Sequence, residues 1–376
     1  MSVAGRDGRL NVAVNLTWLT PARVGGSEEY LTRQLLGVDP DAFRIELYAE
    51  PAFGVAHPEL AGRFSLHTMP VRGGRAARIA LEHTWFATRA GRADVVHHGG
   101  GTMPVKTTGR GESRTVLTVH DLQYLRHPEY FGPARRRYLA AMVPGSVRRA
   151  TVVTVPSRFV RDHLCDAFEV PEDRVVVVPH GIPAPDVPDP ERVVEVLGRY
   201  GIDERTYVVY PAITHPHKGH AVLMAMLDRL DDDTALVLIG GVGAAESALG
   251  SLIRSSRRAD RVFRLGRVPG ADRDALIAGA DVLVFPSEFE GFGAPVVEAM
   301  ALGTPVVCSS ADALVEVVGD AGVVVADASG AAWAAAVDQA RRSSAELTAR
   351  GHRRRECFTI EASGAAISAA YRMAAA

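Results

Sequence analysis

Glu290 and Glu298 are two carboxylates with seven residues between them, in the run Ser287-Glu-Phe-Glu-Gly-Phe-Gly-Ala-Pro-Val-Val-Glu298. Gly291-Phe292-Gly293 forms a turn that leads into a helix start at Ala294-Pro295. Proline suits the first helical position because its missing N–H would have had no partner there. Gly303 suits the residue just past the helix end. Free backbone N–H groups at a helix N-terminus bind anions, and flanking glycines let a phosphate come close. Glu290 precedes that site, and Glu298 lies one turn inside the helix. A phosphate grip beside two carboxylates suits a nucleotide-linked substrate with hydroxyl groups to hold.

The chain that must position these residues has 376 of them, more than one hydrophobic core usually serves, so two domains are expected. With 47% hydrophobic and 23% charged residues the composition is globular. A net charge of −2 gives no electrostatic case for nucleic-acid binding. Cys165, Cys308 and Cys357 are widely spaced and form neither a disulfide framework nor a zinc pattern. The N-terminus from Met1 to Arg9 is polar and lacks an apolar signal core. The expected compartment is the cytoplasm.

Two series of short apolar strands alternate with helical stretches. The first runs through Leu10–Asn15, Arg44–Tyr48, Asp94–His97, Arg114–His120, Thr151–Val155 and Arg174–Val178. The second runs through Tyr207–Tyr210, Ala235–Gly240, Arg261–Leu265, Asp281–Phe285, Thr304–Val307 and Gly322–Val325. Valine-rich runs of this kind indicate parallel sheets buried on both faces, so each series is a doubly wound α/β unit. Between them, residues 179–190 carry five prolines and read as a stiff linker without regular structure. Ligands of such sheets bind beyond the carboxyl ends of the strands, so the loops there are the places to search.

After the first strand, Gly25-Gly26 precedes a helix for which Ser27 is the expected cap. After a central strand of the first half comes His120-Asp121, where Asp121 could also cap a turn. Pro211 to His220 holds Lys218-Gly219 together with His215, His217 and His220. The three histidines have no carboxylate or cysteine to complete a metal set, and imidazoles beside a phosphate site explain them as well. Ser157 suits a helix cap. Arg135-Arg-Arg137 and Arg148-Arg149 make a basic patch suited to solvent, to a phosphorylated acceptor or to an anionic membrane surface.

The Glu290–Glu298 segment resembles the Glu-x7-Glu signature of retaining glycosyltransferases of family four (glycosyl transferases group one). The resemblance runs from the Gly-Gly loop to about Val325 and is strongest over 279–307. It implies the GT-B fold: two Rossmann-like domains facing across a cleft, an acceptor-side domain at 1–182 and a nucleotide-sugar-binding domain at 183–355, with a C-terminal helix at 356–376 packing back on the first. It implies transfer of a hexosyl group, mannosyl as the named candidate, from a nucleoside-diphosphate sugar to an acceptor hydroxyl with retention of configuration and no metal. The acceptor would be a glycan, a lipid-linked sugar or a small molecule, with peripheral contact at the inner membrane surface as an accompanying option.

By resemblance, His120 and Glu290 act on the sugar, and Glu298 holds the ribose. Gly25, Gly26, Lys218, Val268, Gly291, Phe292, Gly293 and Ala294 surround the donor. One departure is plain. The family has an arginine before the lysine, and Ala212 and Ile213 stand there instead. The acidic pairs Asp39/Asp41, Asp231/Asp233 and Asp272/Asp274 fit the short motif of metal-dependent glycosyltransferases, but turn chemistry explains the middle one. A sugar-nucleotide epimerase, a phosphorylase and a non-catalytic nucleotide-binding protein are the alternative readings.

Overall fold

The computed structural model describes residues 8–21, 25–70, 75–104, 114–202 and 206–376. The chain divides into two compact units: Met1–Pro183 together with Thr359–Ala376, and Ala184–Phe358.

The first unit is built on a seven-stranded sheet. Its strands are β1 (Leu10–Leu16), β2 (Phe43–Ala49), β3 (Ser65–Thr68), β4 (Val95–His98), β5 (Arg114–Thr118), β6 (Val152–Val155) and β7 (Val175–Val177). They lie in the order β3-β2-β1-β4-β5-β6-β7, and every pairing is parallel. Six coincide with the apolar runs in the sequence. The seventh, β3, is an edge strand with no buried residue, so no apolar run marks it.

The second unit carries six strands. They are β8 (Thr206–Pro211), β9 (Thr234–Ile239), β10 (Val262–Gly266), β11 (Val282–Phe285), β12 (Val306–Ser309) and β13 (Val323–Val325). Their order is β10-β9-β8-β11-β12-β13, again all parallel. Central strands such as β9 and β11 are buried along their whole length, as helices on both faces require.

Each sheet reverses its order once: between β1 and β4 in the first unit, and between β8 and β11 in the second. Chain leaves the two strands at such a point in opposite directions, which opens a crevice beyond their carboxyl ends.

The proline-rich stretch holds one isolated bridge, Ile182 to Thr359, rather than no pairing at all. Helix Ile360–Ala375 starts there, capped by the Thr359 hydroxyl, which accepts from Ala362 N at 3.1 Å. It packs on helix Gly26–Leu36 and on β4 to β7. A Cβ at Gly364 would collide with the backbone of Gly37, so glycine alone lets these segments touch. Tyr371 joins the buried row beneath: its hydroxyl lies 2.9 Å from His97 Nδ1, His97 Nε2 lies 2.7 Å from Thr118 Oγ1, and Thr118 bonds Thr154 at 2.8 Å.

Burial pushes the His97 and His98 imidazoles down to about 3 and His220 to about 4, from 6.5. The unfolded chain therefore binds more protons at these groups below pH 6.5, and the stability that they support above that pH is lost as pH falls toward their folded values. Burial raises Glu82 to about 7, which opposes the slope, but one carboxyl faces three imidazoles. Urea denaturation at a series of pH values should show the midpoint decreasing from about pH 6.5 to about pH 4. A midpoint that stays constant over this range would contradict the burial of neutral imidazoles.

Candidate active site

Lys218 and Glu290 reach each other from the two strands that flank the reversal in the second unit. Lys218 lies in the connection after β8, in a short 3-10 turn over Pro216–Lys218. Glu290 lies in the connection after β11. Lys218 Nζ donates to Glu290 Oε1 at 2.5 Å, and both side chains are only about 15% exposed.

The contact depends on how closely the two loops pass. Gly219 follows the lysine with φ +67°, and a Cβ there would collide with Pro286 O. Glu288 N then donates to His217 O at 2.8 Å, stitching the loops together. Below them, the Tyr210 hydroxyl donates to Lys218 O at 2.8 Å and lies 3.1 Å from Ser287 Oγ. Tyr210 escaped the sequence reading because it looks like one more apolar residue of β8. Its place at the strand's end was the available signal.

Helix Ala294–Leu302 begins as expected, with Gly293 at φ +95° before it, Pro295 in its first turn and Gly303 at φ +84° after it. A Cβ on Gly293 would collide with the Leu314 side chain. Ala294 is the first helical residue. Phe292 is buried and meets the Phe358 ring edge-on at 5.3 Å, so its side chain anchors the loop.

Glu298 is 7% exposed on the same helix. Arg273 approaches it at 3.7 Å from helix Gly270–Ala278, a partner that spacing along the chain could not reveal. Val268 lies in the turn between β10 and that helix.

Next to Ala212 and Ile213, which stand at the family's arginine position, Thr214 anchors a different network. Thr214 Oγ1 donates to Glu246 Oε2 at 2.8 Å and accepts from Gly243 N at 2.7 Å, and Arg264 pairs with Glu246. These bonds fix the start of the lysine loop without placing a cation at Ile213. His215 and His217 stack at 5.8 Å, whereas His220 is buried against Tyr210. Among the described residues no group of three or more His, Cys, Asp or Glu could hold a metal ion. Asp272 serves structure: it receives bonds from Arg192, Arg199 and Tyr200.

The first unit carries the remaining candidates. His120 follows β5, and its Nε2 lies 2.8 Å from Gly99 O. A carbonyl can only accept, so Nε2 carries the hydrogen and Nδ1 is left as an acceptor. Burial lowers this imidazole's pKa, against smaller opposing effects of Gly99 and Asp121, and it stays neutral at pH 7. Asp121 Oδ1 accepts from Gln123 N at 2.9 Å, the capping role. Ser157 likewise accepts from Val160 N at 3.2 Å.

Gly25 and Gly26 are exposed, with open space where their Cβ atoms would be. The expected cap at Ser27 is corrected: Gly25, at φ +71°, precedes the first helical residue, Gly26, and Glu28 N bonds to Gly25 O at 2.9 Å. The positive φ turns the chain into the helix two residues early.

The model of glycosyl transferases group 1 matches residues 198–355, and that of Glycosyltransferase Family 4 matches 24–184. O-antigen chain mannosyltransferase B of Escherichia coli is 34% identical over 216 residues, 56% of this chain and 57% of that one. The MMP alpha-(1->4)-mannosyltransferase of Mycolicibacterium hassiacum is 31% identical over 309 residues, 76% of this chain and 69% of that one. The chain spans about half to three fifths of the length of the curated relatives that it matches first. Among solved structures, HepE of Anabaena in complex with UDP and glucose has a TM-score of 0.76 at 19% identity, over 96% of this chain and 98% of that one. That likeness is one of fold.

Gly219→Ala tests the loop contact. It adds a Cβ against Pro286 O at a left-handed backbone position, and about 2 kcal/mol or more of stability should be lost. Thermal unfolding should record the drop. An unchanged melting temperature would mean that the loops need not pass this closely.

Proposed function

Because the chain belongs to the GT-B glycosyltransferases of group 1, we propose that it moves a hexosyl group, mannosyl first among the candidates, from a nucleoside-diphosphate sugar to an acceptor hydroxyl. Configuration at the anomeric carbon is retained, and no metal is required. The observation that carries this reading is the Lys218–Glu290 pair beside the N-terminus of helix Ala294–Leu302. The two mannosyltransferase relatives support the sugar, and the UDP complex of HepE supports a nucleotide donor.

The donor must release a diphosphate while positive charge grows at the anomeric carbon. Lys218 and the backbone N–H groups around Gly293 offer fixed positive charge to the diphosphate. As phosphate draws Lys218 away, Glu290 is freed to accept sugar hydroxyls and to face the growing charge. Glu298, held by Arg273, accepts from the ribose. Neutral His120 accepts a sugar hydroxyl at Nδ1. The leaving phosphate takes the acceptor proton. Lys218 and the amides do the electrostatic work that a divalent ion would otherwise do.

The acceptor is a glycan, a lipid-linked sugar or a small molecule. Among the described residues no helix is long and apolar enough to cross a membrane. Arg135, Arg136 and Arg137 are exposed on helix Pro133–Arg149, a charge suited to an anionic membrane surface beside a lipid-linked acceptor.

Purified protein offered GDP-mannose, UDP-glucose and related donors should bind one of them and hydrolyse it slowly. Failure to bind any sugar nucleotide would overturn the reading. Glu290→Gln should reduce turnover about a hundredfold while nucleoside-diphosphate binding persists. A chelator should leave the rate unchanged, and a loss restored by a divalent ion would reinstate metal.

A further inference from the structure

The loop Gly291-Phe292-Gly293 has one side chain with which to hold a position. A glycine on each side of Phe292 leaves the backbone many conformations, so the loop's shape must be imposed by what touches it. Two neighbours do this. On one side, the Leu314 side chain fills the space where a Cβ of Gly293 would be. On the other, the Phe358 ring meets Phe292 edge-on, with ring centroids 5.3 Å apart and both side chains buried. An edge-on aromatic pair has a preferred geometry, so it fixes direction as well as distance.

Leu314 and Phe358 are themselves tied to one residue. Leu314 lies on helix Asp312–Val318, and Phe358 ends a 3-10 turn, Glu356–Phe358. Arg354 lies one turn before Phe358, in the last turn of helix Ser344–Arg355. Its Nε donates to Val317 O at 2.9 Å, and its Nη2 donates to Glu316 O at 2.7 Å. Carbonyls at a helix end lack partners within the helix, and a cation there also meets the negative end of the helix dipole. The same guanidinium carbon lies 5.0 Å from the centroid of the Phe358 ring. A planar, delocalised cation can bond in its plane and stack on its face at once, which an ammonium group cannot. Arg354 therefore joins the two walls of the loop.

The helix that carries Arg354 is fastened to the helix that the loop begins. Thr348 Oγ1 donates to Gly303 O at 2.8 Å, and a Cβ on Gly351 would stand 3.2 Å from Met300. Helix Ser344–Arg355 thus borders helix Ala294–Leu302 at its carboxyl end and reaches the loop at its amino end through Arg354 and Phe358. All of these residues lie in the second unit.

A third restraint on the loop is the one that a ligand removes. Glu290 precedes Gly291 and is held by Lys218 at 2.5 Å. When Lys218 turns to a diphosphate, this tether opens. Leu314 and the Phe292–Phe358 contact remain, and the placement of the loop's backbone N–H groups depends on them. Fixed donors are effective only when they are in place as the charge develops, and a misplacement of about 1 Å caused from a distance is enough to lower the rate severely.

We propose that Arg354 and Phe358 are positioning residues for the donor, which hold the Gly291-Phe292-Gly293 backbone toward the diphosphate after Lys218 has left Glu290. The proposal rests on the reading of the chain as a glycosyltransferase and deepens it by naming what shapes the phosphate side of its site. Both residues act through Phe292 and helix Asp312–Val318, not by touching the ligand.

Two measurements on the full chain test it, with the variants Phe358→Leu and Arg354→Lys. Hydrogen exchange at residues 291–294 without ligand reads the loop itself. Both variants should exchange faster there than wild type, with exchange in β9 unchanged. Calorimetry then compares GDP with guanosine and UDP with uridine. For the preferred base, each variant should bind the diphosphate about tenfold more weakly and the nucleoside with unchanged affinity. Phe292→Leu combined with Phe358→Leu should weaken diphosphate binding no more than either change alone, because both break one contact. Exchange at 291–294 that matches wild type, nucleoside affinity that falls together with that of the diphosphate, or additive effects of the two leucine substitutions would each overturn the proposal. Arg354→Lys, at a half-buried position, decides by itself if Phe358→Leu does not fold. Wild-type protein that binds neither diphosphate would overturn the donor reading and this role of the loop with it, whereas normal wild-type binding with unchanged variants overturns this proposal alone.

Discussion

The pass of Gly219 over Pro286 O is the constraint on which the second unit's site depends. A side chain at residue 219 would push the loop after β8 away from the loop after β11, and Lys218 would no longer meet Glu290. Strand order explains why these two loops are neighbours at all. Parallel order reverses between β8 and β11, so their connections leave on opposite sides and their ends remain open to a ligand. Tyr210 supports the arrangement from below by holding the lysine's own carbonyl.

Charge is handled differently in the two units. The second presents a lysine, two glutamates and a helix start, a set suited to a diphosphate with hydroxylated groups on both sides. The first presents imidazoles held neutral by burial, together with one raised carboxyl. The absent arginine fits this division. Its loop is fastened by Thr214, Glu246 and Arg264, and the proposed contacts to the diphosphate are Lys218 and backbone N–H groups.

Much of this was readable from residue order. Valine runs marked twelve strands because parallel sheets bury both faces. The glycine–proline pattern at 291–295 marked a helix start because each residue type has its own backbone preference. The strand β3 was silent because an exposed edge imposes no apolar pattern. Ser27 misled because a capping residue type was present while the backbone turned at Gly25. The Phe292–Phe358 contact and the bonds from Arg354 to Glu316 and Val317 join segments far apart in the chain, and neither leaves a trace in spacing.

Affinity for a nucleoside diphosphate tests the central claim most directly. Titration of GDP and UDP into wild-type protein and Lys218→Ala, followed by calorimetry, measures what the lysine contributes where the two loops meet. The account predicts that the preferred nucleotide binds the variant about tenfold or more weakly, the loss of a charge-assisted contact with phosphate. Equal affinity in the two proteins would contradict it.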